Sequence, residues 1–313
     1  MLKRLLSTEA EEHIRSLEQT IQEIVTVWQN EQSENLVQAI YAPFGGGKTW
    51  LLQRWQKRWG GILLDLEKDP DRSTIARIQS MKHLLENAPE KYILYIDNVP
   101  AQRDELTDTF QKEILEPALQ SKILVIQAQR HPNKSCWGGK IPHPPSHLIP
   151  PLTLQGAETV RRKFEIVSAL DTTEAILFSE QGTLPGLVQS WCEGRKQKQK
   201  EAITLRNYLE AWWQRSGEAV PPNFSHYLLC LAILACRNTF KTKSMLADLS
   251  ELQKKTIQEQ KIECTESGLS FELQMKRLNW MLPDGGWYAP IAAVLKAWLF
   301  AEQPNLYSCL VSN

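Results

Sequence analysis

The sequence predicts an α/β protein in which a five-stranded parallel sheet, covered by helices on both faces, is followed by an α-helical lid and a winged-helix domain. Three observations carry this. Short apolar runs at residues 36–41, 62–66, 92–96, 123–126 and 148–152 are separated by helical or loop segments, the pattern of buried parallel strands joined by crossovers. The first run leads into Ala42-Pro43-Phe44-Gly45-Gly46-Gly47-Lys48-Thr49, which fits the phosphate-binding loop everywhere except the first position, where Ala replaces Gly. The last hundred residues then follow the order of a winged helix: helices, a strand of alternating apolar and polar residues, and a hairpin.

Composition sets the limits. The 313 residues give room for roughly two domains of about 150 residues each. Apolar content of 42% and charged content of 23% are ordinary for a soluble globular chain. With 36 basic and 36 acidic side chains the formal charge is zero, which argues against bulk nucleic-acid or anionic-membrane binding as the main task. The six cysteines form no C-x-x-C pair or metal-ligand spacing with the histidines and read as reduced thiols of a cytoplasmic protein. The amino terminus lacks the apolar core of a signal peptide, and the apolar run at residues 227–236 is too short to cross a bilayer, so no membrane partner is expected.

In chain order, residues 7–28 carry Ile14, Leu17, Ile21, Ile24, Val25 and Trp28 at helical spacing, with Ser7 suited to start the helix. After the glycine loop, Leu51, Leu52, Trp55 and Trp59 share one face of a helix over residues 49–58. Right-handed crossovers then bring the carboxyl ends of all strands to one rim. Residues 131–151 hold prolines at 132, 142, 144, 145, 150 and 151 and are expected to be a loop without regular structure, with Trp137 as a contact for a partner. Residues 153–170, 174–178 and 187–191 read as helices, interrupted at Gly182–Gly186, and residues 195–200 as a basic, solvated linker. Beyond them come helices at 227–237 and 244–249, a capping box at Ser250 and Gln253, a strand at 269–275, turn residues 283–286 between two Trp-containing segments, and a closing helix at 291–300. The domains expected are 1–155, 156–205 (the lid) and 206–313 (the winged helix).

The chemistry follows from residue type and spacing. Glycines let successive N–H groups of Ala42, Pro43, Phe44, Gly45, Gly46, Gly47, Lys48, Thr49 and Trp50, proline apart, turn toward phosphates; Lys48 reaches the β and γ oxygens, and the Thr49 hydroxyl ligates Mg²⁺. The run Tyr92-Ile93-Leu94-Tyr95-Ile96 ends in Asp97, placed to hold the same Mg²⁺ through water. The two runs together have the form of the motif pair of an α/β P-loop NTPase, so ATP or ADP and Mg²⁺ are the ligands expected. Next stands Asn98, where P-loop ATPases with a strand added between the two motifs often have an acid that activates water. An amide takes up no proton, so hydrolysis should be slow unless another carboxylate serves. After the fourth run, Arg130 puts a guanidinium near the rim, suited to read a γ-phosphate.

The order of these motifs resembles the STAND NTPases, the AAA+-related signal-transduction ATPases that include the NACHT and NB-ARC groups. The matching residues are Ala42 to Thr49, Ile93 to Asp97, Arg130, Pro151-Leu152-Thr153, and Leu184-Pro185-Gly186 with Gly182. Residues 13–18 are similar to that family's amino-terminal segment but lack its Gly. The resemblance implies that Pro185 packs near the adenine and that the winged helix closes over the nucleotide. Asn98 departs from the acid of active members, and no repeat array follows the winged helix.

Three functions compete at this stage. The first is a nucleotide switch in a signalling or defence assembly, with a protein partner or self-association. The second is a DNA-binding P-loop ATPase of the replication-initiator or transposition-adaptor kind, using Lys241, Lys243, Lys254, Lys255 and Lys261 on the winged helix. The third is an interaction scaffold exploiting the 11 tryptophans.

Overall fold

The computed structural model describes residues 14–31, 33, 35–67, 71–100, 103–129, 136–139, 141, 143–178, 182–215, 220–221, 224–238, 280 and 286–311. They fall into two compact units, one of residues up to 150 and one of residues from 151 on.

Strand alternation decides what each sheet residue does in the first unit. Strands β1 (Val37–Tyr41), β2 (Ile62–Asp65), β3 (Ile93–Val99), β4 (Leu124–Gln129) and β5 (Ser146–Leu148) form a five-stranded sheet in the order β2-β3-β4-β1-β5. Every pairing is parallel. Leu94 and Ile96 join Val37, Leu64 and Val125 on one face, while Ile93 and Tyr95 join Ile40, Leu124 and Ile126 on the other, as the two-residue period requires. The second face is covered by α1 (Arg15–Gln29) and α2 (Lys48–Trp59) through Leu17, Ile21, Val25, Leu51, Leu52 and Trp55. The first is covered by α3 (Thr74–Glu86) and α4 (Glu105–Phe110) through Ile78, Met81, Leu106 and Phe110. Each such side chain contributes about 1.5–3 kcal/mol of burial. Because β4 lies between β1 and β3, the strand carrying Asp97 is not the neighbour of the strand that feeds the glycine loop.

Two expectations in this unit are corrected. The fifth strand is Ser146–Leu148, not 148–152, so the proline-rich stretch is not wholly irregular. Its place at the sheet edge explains this: β5 pairs only with β1, and the Pro145 carbonyl accepts the Ala39 N–H at 2.9 Å, a role that costs proline nothing. Trp137 is not an exposed partner contact, for it is 7% exposed and its indole N–H donates to Gln127 Oε1 at 2.6 Å. It also stacks on Phe110, with centroids 5.7 Å apart. Gln127 passes the chain on to Gln129 (3.1 Å), and Gln129 to the Ser146 hydroxyl (3.0 Å). The neighbouring Gly138 N–H donates to Gln111 Oε1 at 2.6 Å, and Gln111 opens a π-helical turn, Gln111–Leu115, that leads into α5 (Glu116–Gln120). Pro117 lies just beyond that turn and brings no N–H to the helix ladder, a usual setting for such a bulge. The proposed helix start at Ser7 lies outside the described residues.

The second unit is helical where described: α6 (Leu154–Lys163), α7 (Thr172–Leu177), α8 (Pro185–Lys196), α9 (Glu201–Arg215), α10 (Phe224–Cys236), α11 (Ala289–Glu302) and α12 (Pro304–Val311). The helix expected over 153–170 starts at a Thr153 cap, whose hydroxyl accepts the Gly156 N–H, and stops at Lys163, with Glu165 at φ 62. Leu152, read as the end of a sheet strand, instead makes an isolated antiparallel bridge with Thr183. Arg195, expected in a solvated linker, ends α8 and pairs with Asp171 at 2.6 Å and Glu201 at 3.0 Å. Burial joins Arg161 to Glu174, with guanidinium Nη2 at 2.8 Å from Oε2, and the Trp191 indole N–H donates to Glu174 Oε1 at 2.9 Å. Trp212, Trp213 and Trp280 meet edge to face, so these tryptophans are core. The winged-helix segments at 244–253 and 269–275, its turn at 283–285 and the lysines at 241, 243, 254, 255 and 261 lie outside the described residues.

Candidate functional site

Gly45 and Gly47 adopt φ of 78° and 86°, the left-handed region where a Cβ is costly, and Gly47 caps α2 at the turn into Lys48. Gly46 N–H donates to the Pro43 carbonyl at 3.1 Å, closing the loop on itself. Lys48 Nζ is drawn over the loop and donates to the carbonyls of Ala42 (2.5 Å) and Pro43 (3.0 Å). This is a concave backbone turn at the amino end of a twelve-residue helix, with a cation folded into it. Such a turn suits an oxyanion because backbone N–H groups at a helix start and the helix dipole act together. Trp50, the next residue, is half-buried with the Arg54 guanidinium 5.5 Å from its ring, and Phe44 is also half-buried.

Asp97 is 1% exposed, and its Oδ2 is buried without a hydrogen-bond partner. Oδ1 accepts the Asn98 N–H at 2.9 Å. Burial pushes its carboxyl above the ordinary 3.8, opposed by the nearby Thr49 hydroxyl and the Asn98 N–H, reinforced by the Asp65 charge and again opposed by Lys48. The Thr49 hydroxyl and the Lys48 charge, both from α2, thus act on the Asp97 carboxyl of β3. An orphaned carboxylate oxygen beside an exposed hydroxyl is the donor set a hard cation takes, so the residues fit Mg²⁺.

Asn98 sits at φ 55 in a bulge: Ile96 pairs with Gln127 and Val99 with Gln129, so two residues of β3 span one of β4. A bulge re-aims side chains, and here the Asn98 amide turns to donate from Nδ2 to Asp65 Oδ1 at 2.9 Å. Asp65 is the residue of β2 in register with Asp97, and its Oδ1 also accepts the Glu67 N–H at 3.0 Å. Asp65 went unnoticed in the sequence. The signal was there, since Ile62-Leu63-Leu64-Asp65 has the same form as the run that ends in Asp97.

Two expected site residues remain, Arg130 and Pro185. Arg130 lies outside the described residues. Pro185 occupies the first turn of α8 in the second unit, where its fixed φ suits a helix start.

Comparison with known proteins adds little. No family model matches the chain, and no curated protein matches it. Among solved structures, it is similar to a katanin chain from work on the structural basis for katanin self-assembly, with 15% identity, a TM-score of 0.43, and coverage of 64% of this chain and 74% of that one. Among the described residues no helix is long and apolar enough to cross a membrane.

Proposed function

We propose that the chain binds ATP and Mg²⁺ as a molecular switch of the STAND type, with slow hydrolysis, within a signalling or defence assembly. The observation that carries this reading is the buried Asp97, left with an unpartnered oxygen beside Thr49 and the folded-back Lys48. An unsatisfied buried polar group costs about 1–3 kcal/mol, a penalty that a cation at this oxygen would offset.

The loop's N–H groups and Lys48 would bind the phosphates, Lys48 exchanging its loop carbonyls for the β and γ oxygens. Thr49 directly, and Asp97 through water, would hold Mg²⁺, which supplies charge neutralisation on the phosphates. Asn98 offers an amide where rapid ATPases use an acid, and this supports slow turnover. Exchange of ATP for ADP would alter contacts at the rim and so bias a conformational equilibrium, as a switch requires.

The test is thermal melting of the full chain with and without Mg·ATP. Expected is a rise in melting temperature for the wild type that Lys48→Ala abolishes. A wild type whose melting does not respond to Mg·ATP would falsify the reading.

A further inference from the structure

We infer that Asp65 is the positioning residue that fixes the Asn98 amide so that its carbonyl oxygen holds the attacking water of ATP hydrolysis. This rests on the nucleotide-binding reading above and assigns the step that the missing acid leaves open.

The orientation of an amide is ambiguous unless a neighbour decides it, and Asp65 decides it here. An ionised carboxylate only accepts hydrogen bonds, so the group facing Asp65 Oδ1 at 2.9 Å must be the Asn98 NH₂. Asn98 Oδ1 is thereby turned away from Asp65, and it makes no hydrogen bond among the described residues. The carboxylate is itself held, because Oδ1 takes a second donor, the Glu67 N–H at 3.0 Å. The Asn98 backbone is fixed as well, through its left-handed φ of 55° and its N–H bond to Asp97 Oδ1. An independent feature points to a ligand at the neighbouring residue: Asp97, 1% exposed, has a buried Oδ2 with no hydrogen-bond partner.

The chemistry follows. Water oxygen attacks the γ-phosphorus, the bond from that phosphorus to the β,γ-bridging oxygen breaks, and ADP leaves with the electron pair. The water proton passes to an oxygen of the departing phosphate. Asn98 Oδ1 accepts a hydrogen bond from the water and sets its direction. It takes up no proton, which accounts for slow rather than absent turnover. A side-chain amide that aligns water without acting as a base is a known solution in phosphoryl transfer.

The experiment compares single-turnover phosphate release with ATP affinity, both on the full chain with Mg²⁺. Asn98→Ala and Asp65→Ala are each expected to slow release by about 100-fold, the cost of losing alignment, with the Kd for ATP within about threefold of wild type. The swap Asp65→Asn/Asn98→Asp keeps the hydrogen bond with its polarity reversed and puts a carboxylate at the water position. It is expected to release phosphate faster than wild type, as a general base adds roughly 100-fold or more. A swap no faster than wild type overturns the inference, as do single variants that hydrolyse at the wild-type rate or lose affinity in step with rate. A wild type that binds ATP but releases no phosphate overturns it too while leaving the binding reading intact; a wild type that does not bind ATP overturns both.

Discussion

The Cβ of Ala42 stands 2.5 Å from the point that a Cβ on Gly46 would occupy, with the Pro43 carbonyl oxygen 3.1 Å from the same point. The alanine that breaks the phosphate-loop pattern is therefore accommodated by the glycine four residues on, because one methyl fits there and two do not.

This relationship sets the first prediction. Gly46→Ala has to displace either the Ala42 methyl or the loop backbone, both held in a buried turn. ATP affinity should fall by about tenfold or more, equivalent to about 1.4 kcal/mol. Ala42→Gly only empties the space and should keep affinity within about threefold. Isothermal titration with Mg·ATP separates the two, and equal losses in both variants would refute the packing argument.

Asp97 supplies the second. Its folded pKa is raised above the ordinary 3.8, first by burial, so the fold favours the protonated form. The stability this group contributes is fully present below its ordinary value and is lost as pH rises through the raised one. At neutral pH the ionised side chain is a cost to the empty protein. Asp97→Asn should then raise the unfolding free energy by about 1–3 kcal/mol at pH 7, the range for an unsatisfied buried polar group. It should also flatten the fall in stability between acid and neutral pH while abolishing the melting shift with Mg·ATP. Urea titrations at several pH values check it. A variant less stable than wild type at pH 7 would show that the ionised carboxylate is not the liability argued here.

What the sequence revealed and what it hid divide along physical lines. The strands through Leu64, Leu94 and Val125 and the helix through Leu51 and Trp55 were legible because burial on both faces, or one, leaves a local pattern. The glycine turn into Lys48 and Thr49 and the strand carrying Asp97 were legible as elements because the turn is compact in sequence and the strand is apolar up to the aspartate. Asp65 ends an apolar run of the same form, but that run showed only a strand: its role depends on lying in register with Asp97, a pairing between segments about thirty residues apart that no local pattern encodes. Trp137 was misjudged for a related reason. Prolines and glycines around it signal a loop, but they do not show that the loop lies against Phe110 and Gln127.

Trp137 carries the third prediction. Trp137→Phe keeps the ring against Phe110 but removes the donor to Gln127 Oε1, in a chain running on through Gln129 to Ser146. Leaving that acceptor buried and unanswered should cost about 1–3 kcal/mol. Trp137→Ala removes the ring as well and should cost about 3–5 kcal/mol. If Trp137→Phe unfolds at the wild-type urea concentration, the hydrogen bond contributes nothing.

Arg161 and Glu174 test the second unit. Side-chain exposure is 5% for the arginine and 0% for the glutamate, and the carboxylate also takes the Trp191 indole N–H. The Arg161 Nη2 donates further to the Ser168 carbonyl at 3.1 Å, so both ions have partners beyond each other. Taking either ion away strands the other in a dry site, and Arg161→Met should cost about 3–5 kcal/mol. Glu174→Leu should cost at least as much, since it orphans the Trp191 N–H too. The double variant should cost less than the sum of the singles by about 1–3 kcal/mol, because no charge is then left buried alone. A double-mutant cycle on the urea transition measures this directly. Additivity within about 0.5 kcal/mol would mean that water reaches the unpaired ion, and that the pair is held by its outer partners and not by each other.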